Sequence, residues 1–138
     1  MLVGAAFATG AAASPPLTVY KTPWCGCCSG WVDHMRAAGF TSVVIVEQEE
    51  LAPVRRRFGI PDRYASCHTG LVSGYALEGH VPASDVRKLL SRRPTAAGLA
   101  VPGMPLGSPG MEAGGRRQPF ETLLVLKDGT GRVFTRHA

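Results

Sequence analysis

One stretch constrains this chain more than any other: Thr22-Pro23-Trp24-Cys25-Gly26-Cys27-Cys28, which holds three of the four cysteines within four residues. An apolar run at residues 17–20 precedes it and reads as a strand; residues 29–38 follow it and read as a helix. A strand, a tight turn and a helix place the sulfurs at or before a helix N-terminus, where the positive end of the helix dipole favours thiolate over thiol. Cys25 and Cys28 form a C-x-x-C pair, which suffices for disulfide exchange. The added Cys27 needs another reason, and metal capture is the best one.

The chain has 138 residues, 45% of them hydrophobic, enough apolar material for the core of one domain. Residues 2–8 are apolar and lead into Ala11-Ala12-Ala13, which resembles the end of a secretory leader. No Lys or Arg occurs before Lys21, so the basic start of such a leader is missing, and residues 1–14 read as a signal-peptide remnant. The run is too short to span a bilayer. A domain over residues 15–138 is therefore expected, periplasmic or otherwise exported and without stable membrane insertion. The 15 basic and 10 acidic residues give a net charge of +5. The basic residues cluster only as Arg55-Arg56-Arg57, Arg92-Arg93 and Arg116-Arg117, with no interleaved aromatics, so they read as solvated faces rather than a nucleic-acid surface.

Local patterns give a coarse order of elements. Leu17–Lys21 reads as a strand and residues 28–38 as a helix that Gly39 closes. Residues 41–47 are β-branched and apolar, like a strand buried on both faces. Residues 49–58 read as a helix with acids in its first turn and three arginines in its last, as the macrodipole prefers. Residues 69–73 and Tyr75–Glu78 read as strands around Gly74. Ala83–Arg92 reads as a helix with Ser84 as N-cap and Pro94 as stop. This βαβαββα order is the thioredoxin arrangement: an α/β, three-layer fold. Residues 98–118 are rich in Pro and Gly and read as a long irregular loop, functional or disordered. Residues 120–127 and 132–135, joined around Asp128-Gly129, read as an added C-terminal β-hairpin.

In that arrangement the third strand runs antiparallel to the first, so Cys67, just before it, faces the cysteine turn from the position usually held by a cis-proline loop. Four sulfurs then converge from two loops. Soft thiolates select Cu(I), Zn(II) or iron–sulfur clusters. Single zinc sites usually draw on pairs from two knuckles, whereas three crowded sulfurs with one opposite suit a multinuclear Cu(I) cluster with bridging thiolates. Structural disulfides are the bland alternative. Cys27 and Cys28 are adjacent and poor partners for each other, and a Cys25–Cys28 bridge is of the redox type.

Five motifs carry a resemblance: Trp24-Cys25-Gly26-Cys27-Cys28, Cys67-His68-Thr69, Glu78-Gly79-His80-Val81-Pro82, Gly98 to Pro105, and Gly107-Ser108-Pro109-Gly110-Met111-Glu112. Together they make the chain similar, from Leu17 to its C-terminus, to exported metal-binding proteins of the CopG copper-resistance type. The resemblance implies a thioredoxin-like fold and copper bound by Cys25, Cys27, Cys28 and Cys67.

The expectation is thus a protein of copper resistance or homeostasis that holds more than one Cu(I) ion, either cycling copper or its own thiols or only storing and handing over copper. Copper ions and other periplasmic copper-handling proteins are its expected partners. The alternative is a thiol-disulfide oxidoreductase, in which Cys25 and Cys28 are the catalytic pair. His68 is placed as a ligand, a hydrogen-bond partner of the cluster or a solvent-facing residue, and His80 as a residue behind the ligands or a strand-end cap. His34 and His137 are placed at the surface. Met104 and Met111 are candidates for a lid over the metal or for simple packing, and Trp24 and Trp31 for the core or rim beside the cysteine turn.

Overall fold

A computed structural model describes residues 14–138; apart from Ser14, the expected leader lies outside the described residues. The elements run β1 (Leu17–Lys21), α1 (Gly26–Ala37), β2 (Val43–Glu47), α2 (Ala52–Arg57), a 3-10 turn at Asp62–Tyr64, β3 (His68–Val72), β4 (Tyr75–Glu78), α3 (Ala83–Arg92), β5 (Gly98–Ala100), β6 (Phe120–Val125) and β7 (Gly131–His137). All seven strands join one sheet in the order β2-β1-β3-β4-β5-β6-β7. β1 is parallel to β2 and antiparallel to β3, and β3 and β4 form an antiparallel pair. In order and direction these four strands agree with the expected thioredoxin-like arrangement. β4 then pairs in parallel with β5, and β6 and β7 extend the sheet antiparallel.

The period-2 alternation of each central strand sends side chains to two faces. On one face Leu17, Val19, Leu77 and Leu99 pack against Trp31 and Met35 of α1 and Val86 and Leu89 of α3. On the other, Ala76, Ala100 and Val125 meet Ile60, with Phe58 and Tyr64 packed alongside. Fully burying a large apolar side chain contributes about 1.5–3 kcal/mol, so the α1 face, with the larger cluster, dominates the core. Trp31 lies entirely inside it and donates from Nε1 to the Val81 carbonyl at 2.8 Å. This joins the first turns of α1 to the segment leading into α3.

Several local expectations are corrected. α1 begins at Gly26, not Cys28, so Cys27 and Cys28 lie inside its first turn and Cys25 is the N-cap. β2 is an edge strand with Val44 and Ile45 exposed, not a strand buried on both faces. α2 begins at Ala52, close to Pro53, which suits a first turn, and this leaves Glu49 and Glu50 outside the helix. The N-cap of α3 is Pro82, and no side chain caps it; Ser84 is inside the helix. β5 lies within residues expected to be loop. Beyond it the chain turns through its own hydrogen bonds, including Gly107 N to Met111 O at 3.0 Å, Met111 N to Ser108 O at 2.8 Å and Gln118 N to Leu106 O at 2.9 Å.

Candidate metal centre

The cysteine turn closes with the Cys25 amide donating to the Thr22 carbonyl at 3.3 Å. No side chain caps α1, which leaves its first-turn amides without a side-chain partner at the end that carries the cysteines. Cys25 and Cys28 are joined by a disulfide, with Cα atoms 5.6 Å apart, while Cys27 and Cys67 are free. Pairing β3 antiparallel to β1 sets His68 opposite Lys21 and so brings Cys67 back to the turn. Cys27 Sγ lies 3.4 Å from Cys25 Sγ and 3.8 Å from Cys67 Sγ. The sulfurs of Cys25, Cys27, Cys28 and Cys67 all lie within 4.8 Å of one another. No cis peptide bond occurs among the described residues, so Cys67 takes its place without the proline geometry common at that position.

Two imidazoles lie beneath these sulfurs. His80 is fully buried; its Nδ1 is 2.5 Å from the Pro109 carbonyl and its Nε2 is 3.0 Å from Cys67 Sγ. Burial lowers its pKa and keeps the ring neutral. A neutral ring that donates from Nδ1 to Pro109 turns an Nε2 lone pair toward Cys67. His68 is also fully buried, so the solvent-facing alternative is excluded. Its Nδ1 lies 3.4 Å from Cys67 Sγ and its ring rests on Trp31, with centroids 4.4 Å apart. Burial, with the nearby His80, lowers its pKa to about 3, and its buried Nε2 has no hydrogen-bond partner. Cys67, His68 and His80 form a second group of mutually close metal-ligand atoms that shares Cys67 with the first.

Cys67 is pushed up to about 12, first by burial and then by Cys27. Cys67 therefore keeps its proton at neutral pH unless a cation lies beside it. This electrostatic demand, with the softness of the donors, fits a thiophilic metal.

Glu78 holds the Cys67 segment in place. Its buried carboxylate accepts from the Ser66 amide at 2.8 Å and from Thr69 Oγ1 at 2.6 Å, which fixes the chain on both sides of Cys67. Burial raises its pKa to about 7. Gly79 follows with φ +75°, and a Cβ there would meet Ser66 Cβ and the Val101 carbonyl at 2.6 Å. Only glycine turns the end of β4 so tightly that His80 swings under Cys67.

The Pro/Gly segment covers the site from the other side. Met104 Sδ stands 3.9 Å from Cys27 Sγ, and the Gly103 amide donates to the Ala65 carbonyl at 3.2 Å. Ser108 and Pro109 are buried, and Gly110 packs on α1 beside Gly30. Met111, in contrast, serves the turn through its backbone. Trp24 is 71% exposed at the rim, whereas Trp31 is core. His34 is not a surface residue: its Nε2 accepts from the Ala83 amide at 3.0 Å at the start of α3. His137 is not one either; it stacks on Phe120 and pairs with Asp85 at 2.9 Å. Sequence reasoning passed over Glu78, although an acid at the end of an apolar strand, followed by Gly-His, is a readable signal.

A family profile described as "Protein of unknown function, DUF411" matches residues 64–111, which include Cys67, Glu78, His80 and Met104. Among solved structures, form 2 of the copper resistance protein CopG is similar at 38% identity and a TM-score of 0.85, with 91% of this chain and 99% of that chain covered. Form 1 of the same protein is similar at 39% identity and a TM-score of 0.84, with 90% and 98% covered. A comparison with curated proteins gives no match. At this identity over nearly the full length of both chains, the protein belongs to the CopG copper-resistance family.

Proposed function

We propose that this protein binds copper as Cu(I), more than one ion per chain, through Cys25, Cys27, Cys28 and Cys67 once the Cys25–Cys28 bridge is reduced. The observation that carries this reading is the convergence of four sulfurs from two segments within 4.8 Å. A dithiol reductant opens the bridge to two thiols and leaves as its own disulfide; each Cu(I) that binds then displaces thiol protons to water and offsets one thiolate charge. His80 steadies Cys67 from beneath, and Met104 offers a thioether at the mouth. The copper resistance protein CopG, similar over almost the whole chain, supports copper as the cargo. A redox-type bridge supports a domain of residues 15–138 working in an oxidising compartment such as the periplasm.

A second reading, dithiol–disulfide exchange by Cys25 and Cys28, is favoured by the bridge itself. Cys27 separates the two readings, because exchange does not need it. Reduced protein titrated with Cu(I) against a competing chelator, with mass spectrometry of the product, should hold more than one copper per chain. Cys27→Ser should hold fewer while still forming the Cys25–Cys28 bridge. A single zinc that copper cannot displace overturns the copper reading, and full copper loading in a Cys27→Ser variant that has lost dithiol activity overturns the four-cysteine cluster in favour of exchange.

A further inference from the structure

A cavity of about 480 Å³ opens directly above the sulfurs of Cys25, Cys27 and Cys67. Its apolar wall includes Trp24, Leu51 and Met104, and its one charged lining residue is Arg55. Arg55 is an unusual arginine. Its side chain is only 11% exposed, yet its buried Nε has no hydrogen-bond partner.

Two carboxylates stand near it, each 3.8 Å away: Asp62 Oδ1 from Nε and Glu78 Oε2 from Nη1. Both separations exceed a hydrogen bond. Both acids are also engaged elsewhere, Asp62 with Arg56 at 3.0 Å and Glu78 with Ser66 and Thr69. The guanidinium therefore sits in the wall of a thiol-floored cavity, ion-paired at 3.8 Å to two acids but with its Nε donor without a hydrogen-bond partner. A planar, permanently charged fork of this kind suits a carboxylate.

The geometry points to a binding site for a small anionic thiol, one carrying a carboxylate, that enters the cavity with Cu(I) on its sulfur. Arg55 takes the carboxylate, the apolar wall takes the carbon skeleton, and the incoming sulfur lies over Cys27 and Cys67. The step is ligand exchange: Cu(I)–thiolate bonds to the carrier break, Cu(I)–thiolate bonds to the protein form, and the carrier thiolates take up the protons that the cysteines release. No electron moves. This inference rests on the Cu(I) reading above and specifies how the ion arrives.

The test is stopped-flow uptake of Cu(I) by the reduced full chain, followed by the Cu–thiolate absorption band, from two donors. One donor is Cu(I) complexed by glutathione, which is anionic; the other is Cu(I) as its acetonitrile complex, whose ligand is neutral. Arg55→Gln should slow uptake from the glutathione complex by roughly tenfold, the low end of electrostatic steering in a charged cleft, and should not slow uptake from the acetonitrile complex, which is a cation. Arg55→Lys, which keeps the charge, should recover most of the rate and stay folded if Arg55→Gln does not. Added salt should slow the wild type with glutathione only. Equal slowing of both donors, or slowing of neither, overturns the proposal while leaving the Cu(I) site intact. Failure of the wild type to take Cu(I) from either donor overturns the Cu(I) reading and this proposal with it.

Discussion

Single atoms decide much of this site. Gly110 has φ +88°, and a Cβ added there would lie 2.7 Å from the Trp31 amide nitrogen, 2.9 Å from the Cys27 carbonyl and 3.0 Å from His80 Nδ1. None of these backbone or ring atoms can step aside cheaply. Gly110→Ala therefore combines left-handed strain with a clash, each costing on the order of 1–3 kcal/mol. The apo protein should melt several degrees lower, and the loop should lift from α1 and become cleavable by protease. An unchanged melting temperature together with unchanged proteolysis would show that the contact is slack. His80 shows the same economy of atoms: one nitrogen spent on Pro109 fixes what the other offers Cys67.

At the scale of elements, the segment after β5 divides its two methionines between tasks. Met104 brings its sulfur to Cys27, whereas Met111 lies in a turn closed by backbone hydrogen bonds. Met104→Ala should hasten copper loss to a competing chelator several-fold, and Met111→Ala should leave that rate alone; equal effects would mean that the loop acts only by its bulk. The strand–turn–helix that carries three cysteines was legible because its pattern is local, from alternating β1 to Gly39 after α1. The position of Cys67 was legible too, through strand order. β2 was misread because a β-branched run does not reveal whether a second neighbour will pair with it. β5 was invisible because Gly-Leu-Ala has no strand preference of its own; its pairing with β4 and β6 makes it a strand. His34 and His137 looked exposed because their partners, Ala83 and Asp85, lie about fifty residues away.

For the whole molecule, buried neutral imidazoles set the response to acid. His68 falls to about 3, and His34 and His80 are also lowered, all chiefly by burial. An unfolded chain protonates these rings near 6.5, so below that pH (for His68, down to about 3) it binds more protons than the folded chain, and stability drops as pH falls. Glu78 acts oppositely: raised to about 7, it makes the folded state bind the extra proton between about 4.5 and 7. Glu78 offsets only about one histidine's proton above about pH 4.5, so the histidines prevail throughout and act unopposed below it. Urea midpoints of the apo protein should therefore fall as pH drops from 6.5, with Glu78 blunting the fall only down to about 4.5. His68→Gln should flatten that fall, and a fall of the same slope in the variant would mean that other groups govern it.

The pairing of Ala100 with Leu123 has a consequence of another kind. The covering segment leaves the sheet and returns to it at adjacent positions on neighbouring strands, so its length places no demand on strand register. Closing such an excursion costs little more when it grows and little less when it shrinks. The cover is in effect a cartridge clipped on at Pro109 and Gly110: the rest of it can lengthen or shorten, retuning what reaches the sulfurs, while the sheet beneath keeps its register.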